Sequence, residues 1–242
     1  MKTEATESVK VVLLDESGAS VSFETFKAFK GTFSHSEEFI KLMSWNFWNC
    51  ILEINPKFNP TEAQKKLLRA LLLYAVKSDE STLDTNKGLY LSGSFGFGKS
   101  DILTALNNFF FKWWHYNLFL FQSATTCVSE YRHDQDLNYL TERKSNGKIN
   151  PIVFCWDDLG LEPDKVNSFG NEINLFSALI NIRYELWKQS GLKTHFTTNL
   201  LAKEFDERYT ANNRSRIAQM CNIISVESES QREQFKNITV IK

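Results

Sequence analysis

Residues 93–100 read Gly-Ser-Phe-Gly-Phe-Gly-Lys-Ser, and the fold can be inferred outward from this octapeptide. Its spacing, G-x-x-x-x-G-K-[ST], is typical of a loop whose backbone N–H groups surround a phosphate group. Residues 88–92 before it are short and mostly apolar, as expected of a buried parallel strand. Residues 101–111 after it carry apolar side chains at helical spacing, so a helix N-terminus would face the phosphate. The stretch therefore predicts a strand, a loop and a helix that together bind a nucleotide.

Two side chains of this loop have specific chemical tasks. Lys99 would supply a positive charge to the outer phosphates, and the Ser100 hydroxyl would ligate Mg²⁺. The residues predicted to contact the nucleotide are Gly93, Ser94, Phe95, Gly96, Phe97, Gly98, Lys99, Ser100 and Asp101.

A second part of the predicted site is acidic. Residues 151–158 read Pro-Ile-Val-Phe-Cys-Trp-Asp-Asp, an apolar strand that ends in two carboxylates. Asp157 would hold Mg²⁺, mostly through water, because this ion keeps much of its hydration shell. Asp158 would orient or deprotonate the attacking water. Because adjacent side chains on a strand point to opposite faces, the two carboxylates should have different tasks.

The same stretch has a second interpretation. Residues 157–160 also match D-x-x-G, a pattern with which GTPases sense the γ-phosphate. Guanine specificity would require N-K-x-D after a later strand, whereas residues 199–203 read Asn-Leu-Leu-Ala-Lys. The sequence therefore favours ATP over GTP, with Mg²⁺ as the accompanying metal ion.

Two further motifs provide candidate catalytic side chains. Residues 194–199 form a predicted strand, and its terminal Asn199 would place an amide beside the nucleophilic water and the γ-phosphate. Residues 213–217, Asn-Arg-Ser-Arg-Ile, contain Arg216, and a guanidinium can neutralise the charge of a phosphoryl group in transfer. On a helix at the domain edge, Arg216 would point to a neighbouring subunit's nucleotide. The predicted catalytic residues are Lys99, Asp158, Asn199 and Arg216, and the predicted metal-holding residues are Ser100 and Asp157.

Composition limits the possible classes of function. The chain of 242 residues has a formal net charge of −1, so nucleic-acid binding would need a local basic face or several assembled copies. The cysteines are scattered without a C-x-x-C pair, which indicates a reduced, intracellular protein. The N-terminus does not resemble a signal peptide, and the apolar run 67–76 is too short for a bilayer. We therefore expect a cytoplasmic protein without a membrane partner.

The chain divides into three predicted regions. Residues 1–85 form an N-terminal extension that is expected to dock a partner. Residues 86–226 alternate strands and helices, which predicts a parallel sheet with right-handed crossovers. Residues 227–242 form a charged tail. Within the central region, a basic loop is a candidate DNA contact and contains Arg143, Lys144 and Lys148.

Local signals subdivide the N-terminal extension. Residues 1–33 are either a small hairpin or a mobile arm. A helix is predicted from Ser36, its cap, to about residue 54. A second helix is predicted with Asn59 as its cap and Pro60 as its first residue.

Together these motifs resemble those of the AAA+ superfamily of ATPases, in the branch that contains DnaC/DnaI-type helicase loaders and IstB-type transposition ATPases. The resemblance covers about residues 86–226. It rests on GSFGFGKS (93–100), CWDDLG (155–160), THFTTNL (194–200) and RSRIAQMCNII (214–224). It implies that these stretches are the Walker A motif, the Walker B motif, sensor I and the box with the trans arginine finger.

The resemblance also implies a fold: a three-layer α/β P-loop NTPase core with a five-stranded parallel sheet of order 5-1-4-3-2 and a mainly helical N-terminal extension. Because only about 16 residues follow Val226, a full C-terminal helical lid is not expected. Asp158 stands where most AAA+ proteins have Glu, and its shorter side chain would slow hydrolysis. Arg183 and Tyr184 match an Arg-Tyr pair of these ATPases, with a role either between subunits or on DNA.

The leading functional hypothesis from this resemblance is a DnaC-type loader in DNA replication. Its copies would self-associate into an open spiral or ring on single-stranded DNA, and its N-terminal region would grip a replicative helicase. One alternative is an IstB-like ATPase that binds duplex DNA and a transposase. Another is a nucleotide-gated scaffold with negligible turnover. In the first two cases, hydrolysis is expected to be slow until the subunits assemble.

Overall fold

The computed structural model describes residues 8–27, 31–114, 118–135, 137, 142–145, 148–227 and 237–241. The chain divides into two compact units. The first unit consists of Met1–Thr85 and Asp101–Leu118, and the second consists of Asn86–Ser100 and Phe119–Lys242.

The first unit combines a small antiparallel sheet with helices. Its elements are β1 (Ser8–Leu14), β2 (Ser20–Lys27), β3 (Phe33–Ser34), α1 (Glu37–Ile54), α2 (Glu62–Ala75) and most of α3 (Lys99–Trp114). The strands are ordered β1-β2-β3, and β1 and β2 form the hairpin that was one of the two sequence alternatives. The turn is stabilised because the Asp15 carboxylate accepts hydrogen bonds from the backbone N–H groups of Ser17 and Ala19, both at 2.9 Å.

Helices α1 and α2 of this unit begin at side-chain caps. Ser36 caps α1 as predicted, because its hydroxyl accepts a hydrogen bond from the Phe39 N–H. The predicted start of the second helix was wrong. Thr61, not Asn59, caps α2, because the Thr61 hydroxyl and the Gln64 side chain satisfy each other's backbone N–H groups in a capping box. This reciprocal pair is a stronger start signal than Pro60 provides.

The second unit is built on a six-stranded sheet. Its main elements are β4 (Gly88–Gly93), β5 (Leu120–Ser123), α4 (Ala124–Asp134), β6 (Glu142–Ser145), β7 (Lys148–Pro151), β8 (Phe154–Leu159), β9 (Val166–Ser168), β10 (Asn171–Ile173), α5 (Leu175–Ser190), β11 (Thr194–Thr198), α6 (Ala202–Tyr209), α7 (Ala211–Met220), β12 (Cys221–Glu227) and β13 (Asn237–Ile241). The sheet order is β13-β12-β4-β11-β8-β5. Its five parallel strands, numbered along the chain, follow the order 5-1-4-3-2, so the predicted topology is confirmed.

Some strands were not predicted. β13 pairs antiparallel with β12 in the segment that was interpreted only as a charged tail. The predicted basic loop is instead an antiparallel pair, β6 and β7, in which Arg143 lies opposite Asn150 and Lys144 opposite Ile149. Residues 146 and 147, which follow β6 and precede β7 in the sequence, lie outside the described residues. β9 and β10 form a further short hairpin. All of these strands are at most five residues long, too short for alternation or an apolar run to identify them reliably in the sequence.

The core of the second unit lies around β8 and β11. All five side chains of β11 are buried, which shows that both faces of this central strand are covered. Trp156 stacks on Phe154 at 5.3 Å and meets Phe176 of α5 edge-on at 5.4 Å. These aromatic contacts hold the strands that carry the candidate site. In the described part of the chain, no helix is both long and apolar enough to cross a membrane.

Candidate nucleotide-binding site

The phosphate-loop stretch joins β4 to α3, as the sequence predicts. β4 ends at Gly93 and α3 begins at Lys99. Gly93 has a φ of +152°, and a Cβ atom at this position would lie 2.2 Å from the backbone oxygen of Val226. Only glycine therefore allows β4 to run so close to β12 at the point where the loop turns. Gly96 and Gly98 also have positive φ, at +81° and +85°.

Lys99 is 5% exposed, and its ammonium group is held at the end of the sheet. Its Nζ atom donates to the backbone oxygens of Gly93 at 2.9 Å and Ser94 at 3.0 Å, and to Oδ1 of Asn199 at 2.7 Å. Burial lowers the pKa of Lys99, whereas the charges of Asp158 and Asp157 raise it. The two carboxylates therefore favour a charged lysine at a position where an anion could bind.

The predicted metal-holding residues are brought together. The Ser100 hydroxyl donates to Oδ1 of Asp157 at 2.8 Å. Burial raises the pKa of Asp157, and the hydrogen bonds from Thr197 and Ser100 oppose this shift. A hydroxyl and a carboxylate are hard oxygen ligands of the kind that Mg²⁺ takes when substrate phosphates and waters complete its shell. Groups of three or more His, Cys, Asp or Glu side chains suited to a metal ion are absent from the described residues. The donor set therefore fits a nucleotide-bound magnesium ion better than a cage made by the protein alone.

Asp157 and Asp158 form a β-bulge in β8, so the regular alternation of the strand is interrupted at these two residues. Phe196 pairs with Trp156 and Thr198 pairs with Leu159, so Asp157 and Asp158 together lie opposite Thr197. Asp158 has a φ of +55°, in the left-handed region that a non-glycine residue rarely adopts. The bulge, and not regular alternation, sets the positions from which Asp157 contacts Ser100 and Thr197 and Asp158 contacts Asn199.

Thr197 is the residue that holds this bulge. Its fully buried hydroxyl donates to Oδ1 of Asp157 at 2.5 Å and accepts from the backbone N–H of Asp158 at 2.9 Å. Sequence reasoning missed this role. The only available signal was the polar character of the Thr-Thr pair before Asn199, in a strand whose neighbours are apolar.

Asn199 connects the lysine to the second carboxylate. Its Oδ1 accepts from Lys99, and its Nδ2 donates to Oδ1 of Asp158 at 3.3 Å. It follows β11 directly, between the strands that carry the other two groups. The structure thus brings Lys99, Ser100, Asp157, Asp158 and Asn199 together at the carboxyl edge of adjacent parallel strands, where α/β proteins bind ligands.

The arginines of α7 differ in their surroundings. Arg214 is 52% exposed, and its Nε atom donates to the Asp206 carboxylate at 2.7 Å. Arg216 is half-buried against α5, where it donates to the Asn181 side-chain oxygen and lies over the Tyr184 ring at 5.6 Å. Arg216 therefore lies on the α5 side of α7.

Arg183 has a different role from either of those predicted. Its side chain is fully buried, so it reaches neither another subunit nor DNA, and both predicted alternatives were wrong. It donates to the Thr194 hydroxyl at 2.6 Å and to the backbone oxygens of Ile152 and Lys193 at 2.9 and 2.8 Å. Burial lowers its pKa to about 10, so it remains charged at neutral pH. Arg183 is a structural residue that connects α5 with the starts of β8 and β11.

The fold and the geometry of this site define a P-loop NTPase core with the sheet order predicted from the AAA+ resemblance. Comparison with solved structures agrees at the level of the fold. The chain is similar to the DnaC helicase loader, with 20% sequence identity and a TM-score of 0.50, over 74% of this chain and 97% of that chain. It also matches the structure of DnaI, with 22% identity and a TM-score of 0.48, over 71% and 89% of the two chains. Neither a protein-family model nor a curated protein sequence matches the chain.

Proposed function

We propose that this chain binds ATP with Mg²⁺ and hydrolyses it, slowly until several copies assemble. The observation that carries the proposal is the convergence of Lys99, Ser100, Asp157, Asp158 and Asn199 at one edge of the sheet. A glycine-rich loop with a lysine is suited to phosphate binding, and the acidic pair is suited to a metal ion and a water molecule.

Each side chain has a task that its contacts support. Lys99 already donates three hydrogen bonds to oxygen atoms, and phosphate oxygens would replace some of these acceptors. Ser100 and Asp157 would hold Mg²⁺, which neutralises charge on the phosphates when it is bound. Asp158 would orient the attacking water, and Asn199, which contacts both Asp158 and Lys99, would position that water against the γ-phosphate.

We further propose that the protein acts as a helicase loader in DNA replication. The support is the sequence resemblance, together with a fold similar to that of the DnaC helicase loader. In this proposal, residues 1–85 dock a replicative helicase, and several copies assemble into an open spiral or ring on single-stranded DNA. The proposed DNA contact is the antiparallel pair β6 and β7, which contains Arg143, Lys144 and Lys148.

Two experiments test these proposals at different levels. Titration with a fluorescent ATP analogue and measurement of phosphate release at several protein concentrations test the ATPase. We expect binding, with a rate per subunit that rises with protein concentration. If the protein binds the analogue but releases phosphate only at the background rate at every protein concentration, it is instead a nucleotide-gated scaffold.

Affinity purification from the native host tests the loader role. We expect a replicative helicase to be recovered, whereas a transposase would support the alternative.

A first prediction concerns Thr197. The Thr197→Val variant keeps the shape of the side chain but removes its hydrogen bonds to Asp157 and Asp158. A hydrogen bond to a charged group contributes about 1.5–3 kcal/mol, so we expect kcat for ATP hydrolysis to fall roughly 10- to 100-fold. The acid limb of the pH–rate profile should move to higher pH, because the lost hydroxyl is one of the groups that lower the pKa of Asp157. Steady-state phosphate release from pH 5 to 9 measures both effects.

The matched control is Thr197→Ser, which keeps the hydroxyl and should stay within about threefold of the wild type in kcat. A Thr197→Val variant that is folded and has an unchanged acid limb would show that Thr197 does not influence Asp157.

A further inference from the structure

A buried carboxylate lies just beyond the acidic pair and has no role in the site described above. The Glu162 side chain is 2% exposed, four residues after Asp158 in the segment that follows β8. A carboxylate so removed from water requires partners that compensate its charge. Glu162 finds them in two places, one on each side of it.

The first partner belongs to the chain that leaves the acidic pair. Oε2 of Glu162 accepts a hydrogen bond from the backbone N–H of Gly160 at 2.8 Å. Gly160 has a φ of +110°, and a Cβ atom there would lie 2.7 Å from the Leu200 side chain. The backbone at Gly160, two residues after Asp158, is therefore tightly packed against the Leu200 side chain. The position of Gly160 limits where the strained Asp158 backbone can lie.

The second set of partners lies at the end of α6. Oε1 of Glu162 accepts hydrogen bonds from the Tyr209 hydroxyl and from Nε and Nη2 of Arg208, the last two at 3.4 Å. Nη2 of Arg208 also donates to the backbone oxygen of Glu162. Burial and the neighbouring Glu162 carboxylate raise the pKa of Tyr209, so its hydroxyl stays protonated and donates.

Tyr209 is the last residue of α6, and a single residue links it to α7. Thr210 alone separates α6 from α7 and has a φ of +78°. Its N–H donates to the backbone oxygen of Asp206 at 3.0 Å, and its hydroxyl accepts from the backbone N–H of Asn213 at 3.4 Å. A link of one doubly hydrogen-bonded residue leaves little freedom between the helices. A movement at the end of α6 would therefore also shift α7, the helix that carries Arg214 and Arg216.

We propose that Glu162 is a positioning residue that couples the Asp157–Asp158 end of β8 to the α6–α7 helix pair, so that nucleotide bound at the acidic pair alters α7. One carboxylate oxygen binds Gly160, and the other binds Arg208 and Tyr209. Loss of either set of hydrogen bonds would leave a buried charge poorly compensated, so the segment after β8 and the end of α6 are expected to move together. This inference rests on the proposed function, because it requires that a nucleotide binds beside Asp157 and Asp158. It deepens that function by stating how one subunit's site changes the surface offered to the next.

Hydrogen–deuterium exchange with and without a non-hydrolysable ATP analogue and Mg²⁺ tests the coupling. In the wild type, we expect the analogue to slow exchange about fivefold in residues 155–163 and also in residues 206–216. In Glu162→Gln, residues 93–100 should still respond, whereas the response of residues 206–216 should fall below about twofold. Nucleotide affinity, measured in parallel with a fluorescent analogue, should change less than about threefold because the loop is not altered.

Two further variants complete the test. Tyr209→Phe keeps the ring and the charge pair but loses one hydrogen bond, so it should fold and show about half of the wild-type response in residues 206–216. Glu207→Gln removes an exposed charge on the same helix and should respond like the wild type. If the wild-type protein binds nucleotide but exchange in residues 206–216 does not change, the coupling is overturned and the proposed function is not. The same conclusion holds if Tyr209→Phe and Glu162→Gln both keep the full wild-type change in exchange. A wild type that binds no nucleotide overturns the proposed function itself.

Discussion

Replacing Lys99 with Ala should abolish measurable ATP turnover. Lys99 is 5% exposed, and the substitution removes its ammonium group and the hydrogen bonds that this group donates to Gly93, Ser94 and Asn199. A preorganised donor in a site shielded from water contributes about 10²–10³ in rate. We expect a loss of at least that size in kcat/KM, together with weaker nucleotide binding, because the lysine would contact phosphates in the ground state as well.

The measurement combines phosphate release with titration of a fluorescent ATP analogue. Lys112→Ala is the matched control, because Lys112 lies on the same helix but forms an exposed ion pair with Glu53 at 2.8 Å. Exposed ion pairs contribute at most about 1 kcal/mol, so this control should keep near wild-type turnover. If Lys99→Ala is folded and retains turnover within about threefold, the loop does not bind the reacting phosphates.

Much of this site could be predicted because the relevant residues are close in sequence or at the ends of adjacent strands. Residues 93–100 specify a turn that only glycines allow, and the apolar segment before Asp157 marks a central strand. The carboxyl ends of parallel strands meet at one edge, so the convergence of Asp157 and Asn199 with Lys99 follows from the topology. The topology was itself implied by the resemblance to AAA+ proteins, and the sheet order confirms it.

The features that were missed depend on contacts between residues far apart in the chain. The bulge at Asp157–Asp158 exists because Thr197, forty residues after Asp157, bonds to both. Glu162 is a charged residue in a short loop, and its burial depends on partners far along the chain, Arg208 and Tyr209. Alternation along one strand carries no information about such partners.

Arg183 was misinterpreted for a related reason. Both roles considered for it came from the resemblance to AAA+ ATPases, and arginine is in any case mostly found at the surface. Its burial is possible because the backbone oxygens of Ile152 and Lys193 and the Thr194 hydroxyl accept its hydrogen bonds, and because the rings of Phe154 and Trp156 lie within 6.0 Å. These acceptors belong to other strands, and the local sequence around Arg183 does not show them.

The second large effect is expected at Arg216. In the described part of the chain, Arg216 has no carboxylate partner, since its contacts are the neutral Asn181 amide and the Tyr184 ring. Arg214, by contrast, is paired with the Asp206 carboxylate, which also raises its pKa. The charge of Arg216 is therefore less compensated and more available to a phosphate. We propose that Arg216 is the trans arginine finger, so Arg216→Ala should lower turnover by about 10³–10⁵.

A mixing experiment tests whether Arg216 acts on a neighbouring subunit's nucleotide. Arg216→Ala subunits keep an intact site, and Asp158→Asn subunits keep the arginine and the phosphate loop. Each variant alone should be inactive, whereas a random one-to-one mixture should recover about a quarter of the wild-type rate, because that share of head-to-tail interfaces combines an intact site with an intact arginine. Phosphate release at a protein concentration that saturates assembly measures this recovery.

The control is the other arginine of α7, Arg214. Arg214→Ala removes an arginine whose charge is already paired, so it should lower turnover less than about tenfold. If Arg214→Ala is the inactive variant and Arg216→Ala is not, the finger is Arg214, and the Asp206 contact must open on assembly. If Arg216→Ala is inactive but the mixture recovers nothing, Arg216 supports its own chain through Asn181 and Tyr184, and no arginine at this position acts between subunits.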